Sequence, residues 1–323
     1  MSEIHKIAVL TSGGDAPGMN AAIRAVVRAG INNGFEVFGV YNGYLGLVEG
    51  DIRPLNRGSV TNIINRGGTI LGTARLPEFQ DMEVTKKGAD NLKALGIDAL
   101  VVIGGDGTYH GALRLTKCGI RCVGLPGTID NDIACTEITI GFDTAVNTAV
   151  ECIDKLRDTS NSHQRCSIIE VMGRNCGDIA YAAGIAGGCD LIITSETGYD
   201  EKVVMDLVSK AKRQKRRHIL IVFTEHITDV SALAQKIKEQ TGFDSRATVL
   251  GHIQRGGIPT PFDRILATRL GVKAVHELMA GNSGVVIGLQ HNEAVAIPIE
   301  EAFKMEKNIF RKYAVEINTN ASK

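Results

Sequence analysis

Apolar residues along the chain fall into short unbroken runs separated by longer stretches with helical spacing. The runs at 7–10, 36–41, 99–103, 122–125, 167–171, 191–194, 218–223 and 285–289 read as strands buried on both faces. Between them, residues 21–29, 89–95, 144–156, 203–213, 232–239 and 264–279 repeat apolar positions at the three-to-four spacing of amphipathic helices. This alternation predicts an α/β fold of mostly parallel sheets with helices on both faces, and ligands bound beyond the carboxyl ends of the strands. A chain of 323 residues is long enough for about two domains. No linker rich in Pro, Gly or Ser divides it, so those domains are expected to share more than one crossing. No short-period repeat is visible.

Composition changes this picture little, except for glycine. Hydrophobic residues make up 44% and charged residues 22%, the balance of an ordinary globular chain with a large core. The 37 glycines gather in doublets after the short apolar runs, a pattern that suits backbone approaching a ligand. Lys+Arg and Asp+Glu stand at 36 each, so net charge points to neither nucleic acid nor membrane, and an anionic substrate must be met by local clusters. The cysteines at 118, 122, 135, 152, 166, 176 and 189 form no C-x-x-C and read as core fillers in a reducing compartment. Residues 1–10 carry an acid at Glu3 and only a short apolar run, unlike a signal peptide. No apolar stretch approaches the roughly 18 residues of a membrane span, and a cytoplasmic location is expected.

Three strand ends carry the candidate chemistry. After 7–10 comes Thr11-Ser-Gly-Gly-Asp-Ala-Pro-Gly-Met-Asn20, a glycine turn opening a helix. Such a turn offers free backbone N–H groups and the positive end of a helix dipole to phosphate; a tight turn with Asn20 as helix cap is the alternative. In Leu100-Val-Val-Ile-Gly-Gly-Asp-Gly-Thr108, Gly104, Gly105 and Gly107 would let backbone approach a polyphosphate, and Asp106 could hold Mg²⁺. In Gly124-Leu-Pro-Gly-Thr-Ile-Asp-Asn-Asp132, Asp130 and Asp132 sit just past a strand, where a carboxylate can accept a proton from an attacking hydroxyl. An Asx-type turn would use the same residue types for local hydrogen bonds, and the residues alone leave both readings open.

These loops match no familiar nucleotide fingerprint. A G-x-G-x-x-G starting at Gly105 would need glycine where His110 stands, and neither a Walker loop nor the protein-kinase signatures occur. The basic run Lys210-Ala-Lys-Arg-Gln-Lys-Arg-Arg217 is read as a solvated helix end favoured by the dipole rather than a nucleic-acid patch. From Met305 to the C-terminus there is no motif.

Taken together, the three strand ends resemble the bacterial-type ATP-dependent 6-phosphofructokinase family. The likeness continues through Ser162-His-Gln-Arg165, Glu170-Val-Met-Gly-Arg-Asn-Cys-Gly-Asp178, Thr224-Glu-His226, Arg246-Ala-Thr-Val-Leu-Gly-His-Ile-Gln-Arg-Gly-Gly257 and Asp263-Arg-Ile-Leu-Ala267, in the family's order from Lys6 to about Leu289. A lone Gly-Gly-Asp-Gly-Thr is shared with lipid and NAD kinases; the set in one chain is far more specific. The resemblance implies two Rossmann-like three-layer domains with the active site between them. Residues 1–140 plus 253–303 would bind ATP, and 141–252 plus 304–323 would bind fructose 6-phosphate.

Residue roles are carried over in the same way. Gly14, Arg75, Leu76 and Gly105, Asp106, Gly107 and Thr108 would line the ATP site, with Asp106 on Mg²⁺. Asp130 would be the general base and Thr128 would neighbour the transferred phosphoryl group, whose spreading charge Arg75 and Arg174 would offset. Ile129, Met172, Gly173, Arg174 and Glu225 would contact the sugar. Arg165, Arg246, His252 and Arg255 would hold its 6-phosphate, with Ile253 and Gln254 beside them. In the family, residues matching Arg165 and Arg246 come from an adjacent subunit, which implies a homotetramer. A sugar phosphate carries nearly two charges, and arginine grips such a group bidentately.

Two further expectations concern donor and regulation. Pyrophosphate-dependent relatives typically carry Asp in place of Gly107 and Lys in place of Gly127, so glycine at both implies ATP as donor. An effector site for ADP or phosphoenolpyruvate would use Arg24, Arg28, Arg57, Arg157, Gly188, Asp190, Gln214, Arg216, Arg217 and His218. Asp190 stands where Glu is typical and Gln214 where Lys is common, so a weakened response to ADP is expected. Rival readings are a lipid or NAD kinase built on the same glycine loop, and a non-catalytic phosphosugar sensor. The former leaves 128–132 and 172–174 without a role, and the latter should have lost Asp106 or Asp130.

Overall fold

The computed structural model describes residues 4–307. In chain order the first elements are β1 (Lys6–Thr11), α1 (Met19–Asn32), β2 (Glu36–Val40), α2 (Gly43–Glu49), β3 (Ile52–Leu55), α3 (Met82–Ala94), β4 (Ala99–Gly104), α4 (Asp106–Lys117) and β5 (Arg121–Pro126). There follow α5 (Phe142–His163), β6 (Cys166–Val171), α6 (Asp178–Ala186), β7 (Leu191–Ile193), α7 (Glu201–Arg213), β8 (Ile219–Thr224), α8 (Val230–Thr241) and β9 (Ser245–Val249). The last are α9 (Pro261–Met279), β10 (Val285–Gln290), β11 (Glu293–Pro298) and α10 (Ile299–Ala302), with short 3₁₀ turns at Pro77–Gln80 and Gly251–Arg255. Two compact units are built from these: the first from 4–129, 133–144 and 255–307, the second from 130–132 and 145–254. Of the segment 304–323 expected in the second domain, 308–323 lies outside the described residues.

The first unit holds a seven-stranded sheet in the order β11-β10-β5-β4-β1-β2-β3. Its five central strands run parallel, and β3 and β11 pair antiparallel at the two edges. On one face Ala8, Leu10, Leu100, Val102 and Cys122 pack beneath Leu47 of α2, Leu92 of α3 and Leu115 of α4. On the other, α1 and α9 pack against each other and the sheet. The chain moves from β1 to β2 in one direction and from β4 to β5 in the other. Because such crossovers are right-handed, their helices fall on opposite faces and the loops after β1 and β4 diverge. That divergence opens a crevice at the carboxyl ends, where the loop at 12–18 and the start of α4 emerge.

The second unit repeats the device with four parallel strands in the order β7-β8-β6-β9. Val204 and Val208 of α7 and Leu233 and Ile237 of α8 close one face over Ile168, Ile221 and Phe223, while α6 packs on β7 and β8. Here the chain leaves β6 toward β7 and β8 toward β9, so the switch point lies between β6 and β8. Their following loops carry Met172 to Arg174 and Glu225. The fold is therefore α/β with parallel-dominated sheets, as the alternation predicts.

Several elements differ from the sequence reading. The edge strands β3 and β11, together with β9, α2, α4 and α6, were not marked by apolar periodicity. Asn20 is not a helix cap, because α1 starts at Met19 with Gly18 in the cap position. Its buried side chain instead donates to the carbonyls of Arg66 and Gly67 at 3.1 Å and accepts from the Ile70 N–H at 2.8 Å, holding a distant loop. The basic run falls where its dipole reading puts it, with Lys210, Lys212 and Arg213 in the last turn of α7.

Candidate active site

In the first unit, the strand-end loops are tied into one surface. The Thr108 hydroxyl donates to the Ser12 carbonyl at 3.3 Å, and the Thr73 hydroxyl to the Gly13 carbonyl at 2.8 Å. Arg75 and Leu76 lie two and three residues after Thr73, so this bond holds the chain that carries them beside the first loop. A Cβ at Gly104 would lie 2.3 Å from Thr108 Oγ1 and 2.4 Å from the Ser12 carbonyl oxygen, so only glycine permits the two loops to meet. No side chain caps α4, which leaves the amide groups of its first turn and its positive dipole end available to an anion. Asp106 occupies that turn with an exposed carboxylate, 3.6 Å from His110 Nε2. Arg255 brings its guanidinium within 3.5 Å of where a Cβ on Gly14 would stand. Arg75 is exposed and Leu76 partly buried against the core.

The two glycines expected to decide the donor are not equivalent. A Cβ at Gly107 would meet nothing within 4 Å, so a side chain there would project into open space. At Gly127 it would lie 2.9 Å from Ile103 Cγ2 and 3.1 Å from Met19 Cε. Packing alone accounts for glycine at 127, whereas no neighbour requires glycine at 107. Beyond it, the Thr128 carbonyl accepts from the Thr139 hydroxyl at 2.6 Å, and Ile129 is buried.

In the second unit, Asp130 is 6% exposed and is followed by Asn131 in the left-handed region, at φ 53°. The Asn131 side-chain amide donates to Asp178 Oδ2 at 2.7 Å, and Asp178 itself stands in the first turn of α6. Asp132 is exposed. After β6, Gly173 takes φ 143°, and a Cβ there would lie 2.3 Å from the Cys176 carbonyl oxygen. Glu225 Oε1 accepts from the N–H groups of Gly173 at 3.2 Å and Arg174 at 2.9 Å. Glu225 therefore spends one carboxylate oxygen shaping the turn that presents Met172, Gly173 and Arg174. Burial and then the charge of Glu225 push the Glu170 carboxyl up from its ordinary value. Gln254, fully buried, accepts from the Met172 N–H at 2.9 Å, and His252 and Ile253 are exposed on the same 3₁₀ turn.

The expected phosphate-binding arginines do not all gather at that end. Arg165 precedes β6, whereas Met172 follows it, and Arg246 pairs with Ser167 near the start of the strand. A six-residue strand sets these groups about 20 Å apart at ~3.3 Å per residue. What Arg165 and Arg246 share is Asp244, which sequence reasoning missed: Arg165 Nε donates to it at 2.6 Å and Arg246 Nη1 lies 3.3 Å away. Partial burial opposes ionisation of Asp244, but the hydrogen bond from Arg165 and the neighbouring cations outweigh it and hold the carboxyl below its ordinary range. Asp244 lies just before β9, two residues ahead of Arg246 but 79 positions from Arg165, so the sequence carried no signal of the pairing.

The residues expected at an effector site fall in both units. In the first, Arg24 and Arg28 stand one helical turn apart on α1. Burial and then Arg28 lower Arg24, and Arg28 Nε is buried without a hydrogen-bond partner among the described residues. Arg57 is exposed and donates to Asn32 Oδ1. In the second, Arg157 reaches the Gly188 carbonyl at 3.5 Å. Asp190 accepts from Arg216 and, at 2.9 Å, from the Leu220 N–H, so both its oxygens are engaged. Burial pushes His218 down against the opposing charge of Asp190, and Gln214 and Arg217 are exposed.

Uncapped helix starts, glycine-lined strand ends and a buried carboxylate past a strand define a phosphotransferase on an α/β scaffold. The comparisons narrow this. The family described as Phosphofructokinase matches residues 6–278, and the chain belongs to that family. It is 56% identical to the ATP-dependent 6-phosphofructokinase of Vibrio vulnificus (strain YJ016), over 95% of this chain and 96% of that one. The phosphofructokinase structure from Saccharomyces cerevisiae superposes with a TM-score of 0.84 at 36% identity, covering 98% of this chain and 47% of the yeast chain. A pyrophosphate-dependent phosphofructokinase from Marinobacter aquaeolei shares the fold, with a TM-score of 0.88 at 20% identity over 98% of this chain and 88% of its own. No helix among the described residues is long and apolar enough to cross a membrane.

Proposed function

We infer that this chain catalyses the ATP-dependent 6-phosphofructokinase reaction, carrying the γ-phosphoryl group of ATP to the 1-hydroxyl of fructose 6-phosphate. The observation that carries the reading is Asp130: a buried carboxylate just past a parallel strand, in a segment locked by the Asn131–Asp178 hydrogen bond. Asp130 accepts the proton of the 1-hydroxyl as that oxygen forms a bond to the γ-phosphorus. The bond from phosphorus to the β,γ-bridging oxygen breaks, and ADP leaves with the electron pair. Arg75 and Arg174 offset the charge spread over the equatorial oxygens. Thr128 contacts the transferred group, and Met172, Gly173 and Glu225 frame the sugar.

Mg²⁺ fits the residues present. Among the described residues no three acidic, His or Cys side chains cluster as a metal cage, but Mg²⁺ needs only one or two carboxylates plus phosphate oxygens. Asp106 supplies one, exposed at a helix start beside the open space at Gly107. When bound, the ion neutralises charge on the nucleotide phosphates. The open Gly107 position leaves room for the larger nucleotide and supports ATP over pyrophosphate.

The separation of Arg165 and Arg246 from Met172 along β6 supports an active site completed by a second copy, whose two arginines join His252 and Arg255 on the 6-phosphate. A homotetramer satisfies that need at every site. The arginines on α1 and those around Gly188 and Asp190 are read as the halves of an ADP or phosphoenolpyruvate site. The test of the whole reading is a coupled assay of product formation against a panel of sugar phosphates, with ATP or pyrophosphate as donor. Fructose 6-phosphate with ATP should dominate; preference for a lipid, NAD or pyrophosphate would overturn it.

A further inference from the structure

We propose that Asp263 is a positioning residue for this reaction: from the core of the first unit, its carboxylate fixes the strip of backbone on which the loops after β1 and β5 both rest. The proposal deepens the phosphoryl-transfer reading of those loops and relies on it.

Asp263 lies in the first turn of α9 and is completely buried. An ionisable group withdrawn from water in this way is tolerated when donors converge on it. Three do: the Gly141 N–H at 2.9 Å on Oδ1, and the Thr144 N–H at 2.9 Å and hydroxyl at 2.6 Å on Oδ2. These donors belong to the first turn of α5 and the residue before it, whose amides have no partners within the helix. The bracing is reciprocal, because Thr260, the cap of α9, donates its hydroxyl to Asp143 at 2.6 Å and its N–H to Thr144 Oγ1 at 3.0 Å.

Capping a helix would not by itself touch the chemistry, but the strip being capped does. Immediately before Gly141, Ile140 forms a parallel bridge with Gly127 and donates its N–H to the Pro126 carbonyl at 2.8 Å. Thr139 donates its hydroxyl to the Thr128 carbonyl at 2.6 Å. The loop that carries Thr128 is thus laid along 139–141 by main-chain and hydroxyl contacts. The loop after β1 rests on the same strip: a Cβ on Gly141 would lie 2.7 Å from Ala16 Cβ, and one on Gly18 would lie 2.7 Å from Ile140 Cγ2 and 3.6 Å from Asp263 Cβ. One buried carboxylate therefore sets the height of both loops, without contacting any reacting group.

Asp263→Asn keeps the shape and turns one acceptor into an amide that faces an N–H donor. Hydrogen exchange on the full chain should show exchange at 14–18 and 126–129 accelerated by about tenfold or more, with β4 unchanged. Turnover should fall by roughly 10- to 100-fold while the KM for each substrate moves little, the signature of misplacement rather than lost binding. Thr139→Val removes the hydroxyl on Thr128, and combined with Asp263→Asn its effect on kcat should be less than multiplicative, since both act through one strip. Should Asp263→Asn fail to fold, Thr144→Val removes a single donor and gives the same readouts at smaller amplitude. Unchanged exchange in both loops, kcat within about twofold in the folded variant, or full multiplicativity would each overturn the proposal. A wild type that does not turn over fructose 6-phosphate would sink the functional reading instead, and loop exchange would still decide the role of Asp263.

Discussion

The Asn131 side-chain amide donates to the Asp178 carboxylate at 2.7 Å, across 47 positions of sequence, with both side chains buried. Asn131 sits between Asp130 and Asp132 and holds a left-handed backbone, which asparagine adopts more readily than other non-glycine residues. The bond therefore fixes the backbone immediately next to Asp130.

Asp178→Ala should loosen that setting without removing any group that touches substrate. Removing the buried acceptor of the Asn131 amide should cost about 1–3 kcal/mol of stability. Turnover should drop by roughly 10²-fold while substrate KM values stay near wild type. Denaturant unfolding and steady-state kinetics on one preparation check both; unchanged kcat in a destabilised variant would reduce Asp178 to a purely structural residue.

Subunit exchange tests the split along β6. Arg165→Ala or Arg246→Ala should raise the KM for fructose 6-phosphate and leave that for ATP nearly unchanged. Mixing Asp130→Asn with Arg246→Ala should restore activity after exchange, because hybrid interfaces contain an intact site. Proven exchange without recovered activity would mean each site is built from one chain.

Asp263 gives a pH signature in stability. Burial outweighs its three donors and raises the carboxyl from 3.8 to about 6, with Asp143 adding to the rise. The folded state then binds a proton more tightly than the unfolded chain between about pH 4 and 6, so this group's contribution is largest at acid pH and declines as pH rises to about 6. The difference in unfolding free energy between wild type and Asp263→Asn should fall across that window by an amount on the order of 3 kcal/mol and stay flat above it. A difference that rises through the window would contradict the raised value.

Much of the fold was legible, and the misses have separate physical causes. The central strands such as β4 are buried at every position, so they appear as continuous apolar runs. Edge strand β3 carries Pro54 and β11 has one partner, so neither needs such a run. Helix α4 begins within Gly-Gly-Asp-Gly, residues of poor helix propensity, and Gly104 is needed there for the two loops to meet. At the site, Asp130, Arg174 and Glu225 were visible as motif residues. Asp178 stood inside a motif, but its partner Asn131 is visible only once the chain has folded, and the same holds for Asp244 with Arg165.

Regulation should be weak for a reason visible in the second unit. Asp190 is engaged by Arg216 and the Leu220 amide, and it is one methylene shorter than the glutamate expected there. Gln214 also removes a positive charge from the site proposed for a polyanionic effector. Millimolar MgADP should therefore shift the fructose 6-phosphate saturation curve only slightly once competition at the ATP site is allowed for. Asp190→Glu should enlarge the shift, and a large shift in the wild type would contradict the account.

The most direct measurement is the rate of fructose 1,6-bisphosphate formation from saturating MgATP and fructose 6-phosphate, by the wild type and Asp130→Asn side by side. Loss of the proton acceptor should lower kcat by roughly 10²–10⁴-fold with both substrates still bound at near-normal KM. A variant that forms product at close to the wild-type rate would show that the buried carboxylate past β5 is not the base.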